Sequence, residues 1–214
     1  MLNLVNIIIT NVNDAPESDP GNYTTEEELP VEITHIGRDK DVLDIFTIHS
    51  QMGNDIPQPA VVQIGESVAL SSDGKRIILG AYDSGAFARV YNWNGTAWET
   101  RSTLSGSGGF GSSISLSSDG SLLVVGASTD GSNGSIRVYS WNGISYAQVS
   151  DAVTGESSND LFGGYVSVSG DSTTISVGAI ENDGGGNNSG LVRLFSVSSS
   201  SSGTLAIGGV VTYT

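Results

Sequence analysis

One block of sequence is written three times in this chain, and that repeat restricts the fold more than any other feature. Residues 65–74 read GESVALSSDG, residues 111–120 read GSSISLSSDG, and residues 163–172 read GGYVSVSGDS. Each copy runs on into an apolar stretch ending in Gly-Ala at 80–81, 126–127 and 178–179, so the copies lie 46 and 52 residues apart. A variable loop follows, then RVYNWNG at 89–95, RVYSWNG at 137–143 and RLFSV at 193–197. A period of this length with three anchor points per copy belongs to repeat architectures, in which each unit buries its apolar face against the next.

Within a copy the pattern is that of strands. Val68, Leu70, Ile114 and Leu116 alternate with small residues at period two, as in a half-buried strand. Asp-Gly at 73–74 and 119–120, and Asn-Gly at 94–95 and 142–143, supply the positive φ of tight hairpin turns. With fourth strands over 97–104 and 145–150, each copy holds four short antiparallel strands, the make-up of a propeller blade. No stretch sustains a 3.6-residue period, so almost no helix is expected. The turns also account for the composition: 29 of 214 residues are Gly, roughly twice ordinary usage.

The Phe-Gly openings at 110–111 and 162–163, the Ile64-Gly65 opening of the first copy and the Gly-Ala closings resemble the FG-GAP repeats of integrin α-chain-like propellers, over residues 60–197. That family often carries an Asp-x-Asp-x-Asp-Gly calcium loop between the first two strands of a blade. Here the loop is only Ser-Ser-Asp-Gly, so that calcium site is absent from these hairpins. Ahead of the repeats, NVNDAP at 11–16 resembles the linker of cadherin-like and bacterial immunoglobulin-like modules. Residues 24–34, 37–41 and 45–48 resemble the opening strands of such a module, and 203–214 a later hairpin of it.

The expected fold is therefore all-β: three four-stranded propeller-type blades, an incomplete β-propeller, plus a partial immunoglobulin/cadherin-like β-sandwich segment. Residues 1–10 read as the last strand of a preceding cadherin-like module and 11–58 as linker and opening strands of the next. Blades follow at 59–109, 110–161 and 162–197. Residues 198–214 read as a Ser-rich linker and terminal hairpin, either the fourth strand of the third blade or the remainder of the immunoglobulin-like module. The chain looks like a length of a longer tandem array, adjoining neighbouring modules of the same parent.

Charge and composition narrow the chemistry. With 8 Lys+Arg against 23 Asp+Glu and a net charge of −15, the chain lacks the clustered cations that bind nucleic acid. No apolar run reaches the ~18–20 residues of a membrane span, and the chain has no Cys, hence no thiol nucleophile or Cys-held metal. His35 and His49 are the only histidines and share no metal-ligand spacing. No Gly-x-Ser-x-Gly elbow occurs. Residues 106–111, GSGGFG, match a dinucleotide loop literally, but a strand follows where that loop needs a helix.

This inventory points to a non-enzymatic module. The family resemblance implies extracellular or cell-surface adhesion, with a protein or glycan ligand contacted at a surface; the alternatives are a glycan-binding or scaffold propeller of a secreted enzyme, or a structural spacer in a surface stalk. The resemblance also implies calcium at the module joint, held by Asn11, Asn13, Asp14, Glu27, Asp39 and Asp41, since calcium needs six to eight oxygens gathered from linker and loops. Asp130 and Asp183, in the loops after Gly-Ala, are weaker calcium candidates. Arg89, Arg137 and Arg193 share one repeat position and are expected to pair with nearby acids. Trp93, Trp141, Tyr91 and Tyr139 are expected to pack between blades.

Overall fold

The computed structural model describes residues 51–56, 63–82, 86–199 and 205–212, and divides the chain into two units, Met1–Gln51 and Met52–Thr214. All of the described strands belong to the second unit. The cadherin-like segment and its six candidate calcium ligands lie outside the described residues.

Three antiparallel sheets follow one another along the chain. The first is β1 (Ser67–Leu70), β2 (Arg76–Ala81), β3 (Phe87–Trp93) and β4 (Trp98–Ser105), in that spatial order. The second holds β5 (Phe110–Leu116), β6 (Leu122–Ala127), β7 (Ser135–Trp141) and β8 (Tyr146–Gln148), with the short β9 (Val153–Thr154) also paired to β7. The third is β10 (Tyr165–Val168), β11 (Thr174–Ala179), β12 (Leu191–Ser199) and β13 (Leu205–Thr212). The one helical element among the described residues is a 3-10 turn at Asp130–Ser132.

One detail differs from the sequence reading, and one of its open alternatives is taken up. The outer strand of the second blade is split: Tyr146 pairs with Trp141 and Val153 with Ile136, with the chain leaving the ladder between them. Of the two alternatives for the terminal segment, the structure takes the fourth strand of the third blade: β13 pairs with β12 from Arg193↔Thr212 to Ser199↔Leu205. Residues 205–212 are thus the outer strand of that sheet. Hairpin continuity decides this, since the Ser run at 198–202 carries no periodicity that would place it.

A serine-aspartate device closes every inner hairpin. Ser71 donates to Asp73 (2.6 Å) while its oxygen accepts from the Arg76 N–H; Ser117 and Asp119 (2.8 Å) treat Leu122 likewise, and Ser169 and Asp171 (2.5 Å) treat Thr174. Gly74 and Gly120 take positive φ there, and in the third copy Ser172 holds that conformation at φ 64°. The hydroxyl of Ser71 and the Lys75 N–H lower the pKa of Asp73; for Asp171 the hydroxyls of Ser169 and Thr173 act the same way. At Asp119 the leading cause is the Ser121 N–H.

A folded-state carboxyl held below its unfolded pKa adds stability above the unfolded value and loses it as pH falls through the folded one. Thermal melts should therefore drop in midpoint from about pH 5 downward. Asp119→Asn should flatten that fall, and equal acid sensitivity in the variant would contradict the assignment.

The sheets stack in sequence order through their opening strands. β5 lies against β1, β2 and β3, and β10 against β5 and β6. One face of the first sheet (Ile78, Ala88, Val90) meets the opposite face of the second (Ile114, Leu123, Val125, Tyr139) around Phe110. The second sheet's other face (Val124, Ile136, Val138) meets Val168, Ile175, Val177 and Phe195 around Phe162. Each Phe of the Phe-Gly openings is thus the hub of a seam between blades, with its neighbour edge-on: Phe110–Tyr139 at 6.4 Å and Phe162–Phe195 at 6.3 Å.

Hydrogen bonds repeat across both seams. Ser67 donates to the Gly111 carbonyl and Ser113 to the Gly163 carbonyl, both at 2.7 Å. That carbonyl lies over Gly80 in the first seam and over Gly126 in the second, so close that a Cβ at either glycine would overlap it. The inner turns are linked in series as well, Ser72 N–H to Ser118 O (2.9 Å) and Ser118 N–H to Gly170 O (3.1 Å). Arg76 completes the first seam, its guanidinium 4.2 Å above Trp141 and donating to the Gly120 carbonyl at 2.9 Å.

Candidate ligand-contact rim

The two ends of the stack differ in kind. At one end lie the serine-aspartate turns, 71–75, 117–121 and 169–173, of equal length in all three blades. At the other lie the described loops after Gly-Ala, 128–134 and 180–190, the second longer than the first. The connectors between blades come to this second rim: the Thr129 N–H donates to Gly108 O at 2.9 Å, the Gly155 N–H to Gly134 O at 2.9 Å, and the Asn159 N–H to Ser132 O at 2.8 Å.

Asp130 organises the middle loop. One of its oxygens accepts from Ser107 in the preceding connector (2.8 Å), the other from Ser135 (2.8 Å) and Arg137 (2.8 Å). Partial burial works against ionisation of this carboxyl, yet the hydrogen bonds of Ser135 and Ser107 and the Arg137 charge outweigh it and lower the pKa. Each oxygen thus already has a protein donor. Asp130 is a brace joining connector, loop and strand.

Asn182 stands at the corresponding place in the third blade and donates to the buried Asp160 carboxylate at 2.6 Å. Asp183 turns its carboxylate back onto the Asn188 N–H (2.7 Å) and so closes its own loop. Among the described residues no three His, Asp or Glu side chains come together. The residues left outward on the longest loop are Ile180, Glu181 and 183–189, all exposed.

The arginine column is held internally. Arg137 pairs with Asp130, Arg193 pairs with Glu156 from the connector, and Arg89 lies over Phe87 (4.8 Å) while donating to Thr103 at 3.3 Å. For the first blade, then, the partner is a ring and a hydroxyl in place of the expected acid. Tyr139 lies in the first seam and the Trp141 face is covered by Arg76, so these two rings pack between blades as expected, whereas Tyr91 is buried on the outer face of the first sheet and Trp93 lies against Trp98 of its own blade. The Glu156–Arg193 and Asp160–Asn182 partnerships escaped the sequence reading. The second was foreshadowed only by Asp160 standing where the preceding connector has Gly108.

Solved structures with the same arrangement settle the architecture. A structure described as a "putative 6-phosphogluconolactonase" from Bacteroides fragilis matches at 13% identity and TM-score 0.50, over 68% of this chain and 38% of its own. One of the same description from Bacteroides uniformis matches at 17% identity and TM-score 0.50, over 77% of this chain and 45% of its own. The fold is propeller-like.

The chain thus spans less than half the length of these propeller-like neighbours. No family model matches it, and no curated protein does. One expectation needs correction: the chain was read as non-enzymatic because catalytic motifs are missing, whereas its fold is shared with structures described as lactonases. A thin motif inventory does not place a propeller outside enzyme folds, because function resides in sites grafted on the fold. Among the described residues no helix is long and apolar enough to cross a membrane.

Proposed function

We propose that this chain is an extracellular ligand-contact module of FG-GAP type, which meets a protein or glycan surface through the rim bearing the 128–134 and 180–190 loops. The observation that carries the reading is the contrast between the two rims: the serine-aspartate turns are repeated nearly letter for letter, while the opposite loops change in length and composition over a braced base. Rigid scaffolds concentrate binding residues on such variable loops. For calcium, the proposal rests chiefly on Asn11, Asn13, Asp14, Glu27, Asp39 and Asp41.

Replacing residues 183–189 by a two-residue Asn-Gly turn tests the rim. The probes are a printed glycan array and immobilised collagen and fibrinogen. Retention of the unaltered chain on at least one of them, lost on loop replacement by about tenfold or more at an unchanged melting midpoint, is the expected result. Equal retention of both forms, or none by either, would overturn the rim assignment.

A further inference from the structure

Both end blades leave open the surfaces that the inner seams use. In the seams, the opening strand of a blade seats on the preceding sheet, so Ile114 and Val168 are both 8% exposed. Their counterparts on β1, Val68 and Leu70, are each 54% exposed. Leu79 and Tyr91, further out on that face, are already buried, so the open part is the inner strand that docks in the other two blades.

The receiving surface is open at the opposite end. Gly178 occupies the Gly80 and Gly126 position, but its Cβ would meet only its own sheet's Tyr165 at ordinary distance. Val192 is 55% exposed where Ala88 and Ile136 are fully buried. Around them runs an open groove of about 530 Å³, lined by Tyr165, Gly178, Ile180, Gly190, Leu191 and Val192. Five of the seven large exposed apolar side chains among the described residues lie on these two end surfaces.

We propose that two copies of this chain associate head to tail, β1 of each seating its Val68–Leu70 edge in the Tyr165–Gly178–Val192 groove of the other. The seams inside the chain supply the template: a strand opening with apolar residue and Gly lies over a glycine of the preceding sheet, and Ile64-Gly65 ahead of β1 repeats that opening. Two such stacks joined this way present six blades, a number within the four to eight of closed propellers. A donor surface and its acceptor exposed on one molecule make a heterologous contact, which closes when the rotation allows it. The tyrosine at 165 stands where the inner seams have Ser67 and Ser113, so this junction gains apolar ring contact in place of a hydroxyl bond. With −15 charges per chain, association should tighten as salt screens the repulsion.

Sedimentation velocity on the full chain tests this. A two-chain species is expected at about 100 μM, more populated at high than at low salt. Leu70→Glu and Val192→Glu should each be monomeric alone, with dissociation constants raised about tenfold or more, and with melting midpoints of the monomer unchanged because both sites are exposed. An equimolar mixture of the two should restore a two-chain complex, since each contributes the surface the other lacks. Leu70→Ser and Val192→Ser, which remove apolar surface without adding charge, replace the glutamates where those disturb the sheet. A wild-type chain monomeric at that concentration in high salt, variants that associate as wild type does, or a mixture that stays monomeric would each overturn the proposal.

Discussion

Phe162→Ala is expected to lower stability by about 3–5 kcal/mol, the range for truncating a fully buried aromatic side chain. Phe162 is 1% exposed and opens the third blade, but its ring belongs to the seam, set edge-on against Phe195 and packed with Val124, Ile136 and Val177 of two different sheets. Deleting it therefore opens a cavity between blades, where no single sheet can collapse to fill it. Its backbone also bridges to Gly134 of the preceding blade, which holds the walls of that cavity in place. Urea melts should show the loss, and for a unit of this size the midpoint should fall by roughly 10 °C or more. Ile144→Ala, at a residue 74% exposed, should change little. A Phe162→Ala loss below about 1 kcal/mol would mean that the ring is not shared between blades.

The Gly-Ala glycines should give the second large effect, and one that depends on position. Gly126→Val places a side chain against the Gly163 carbonyl and the Ser113 hydroxyl, which are already hydrogen-bonded to each other in a buried seam. Overpacking costs about 1–3 kcal/mol, and separating the pair leaves a buried acceptor unsatisfied at about 1–3 kcal/mol more. Gly80→Val should behave similarly at the first seam, where the Ser67 bond is only half-buried. Gly178 is the same letter of the same repeat, yet a Cβ there meets Tyr165 at 3.4 Å and nothing closer. Gly178→Ala should leave the monomer's melting midpoint within about 2 °C of wild type, while weakening the two-chain species if the groove receives a neighbouring β1. Equal destabilisation at 126 and 178 would mean that the glycine serves its own sheet rather than the seam.

What the letters revealed and what they hid divide along a physical line. Features local to a hairpin were legible: Asp-Gly and Asn-Gly carry their own conformational demand, and alternating Val, Ile and Leu mark a pleat. Hence the order of strands within each blade and the 46- and 52-residue spacing were readable directly. Contacts between blades were not, because they join residues far apart in the chain with no local signature. Ser67 to Gly111, Ser113 to Gly163 and Arg76 to Trp141 are of this kind. The outer strand β13 was ambiguous for another reason, since a serine run fixes neither register nor direction. At the rim, the letters showed acidic loops but not their partners: Ser107, which donates to the Asp130 carboxylate, comes from the connector before its own blade.

The central claim is that the three repeats stack in sequence order as successive blades, with their inner turns side by side. The chain has no native Cys, which makes one measurement decisive. Ser72 and Ser118, whose backbones are hydrogen-bonded at 2.9 Å across the first seam, are replaced together by cysteine and the monomer is oxidised. Stacked blades predict a rapid intramolecular disulfide that raises the melting midpoint, consistent with a closed loop in the unfolded chain. A control pair at Ser72 and Ser172, one blade further on, should stay reduced under the same conditions. Failure of the first pair to close, or equal closure of both, would contradict the stacking.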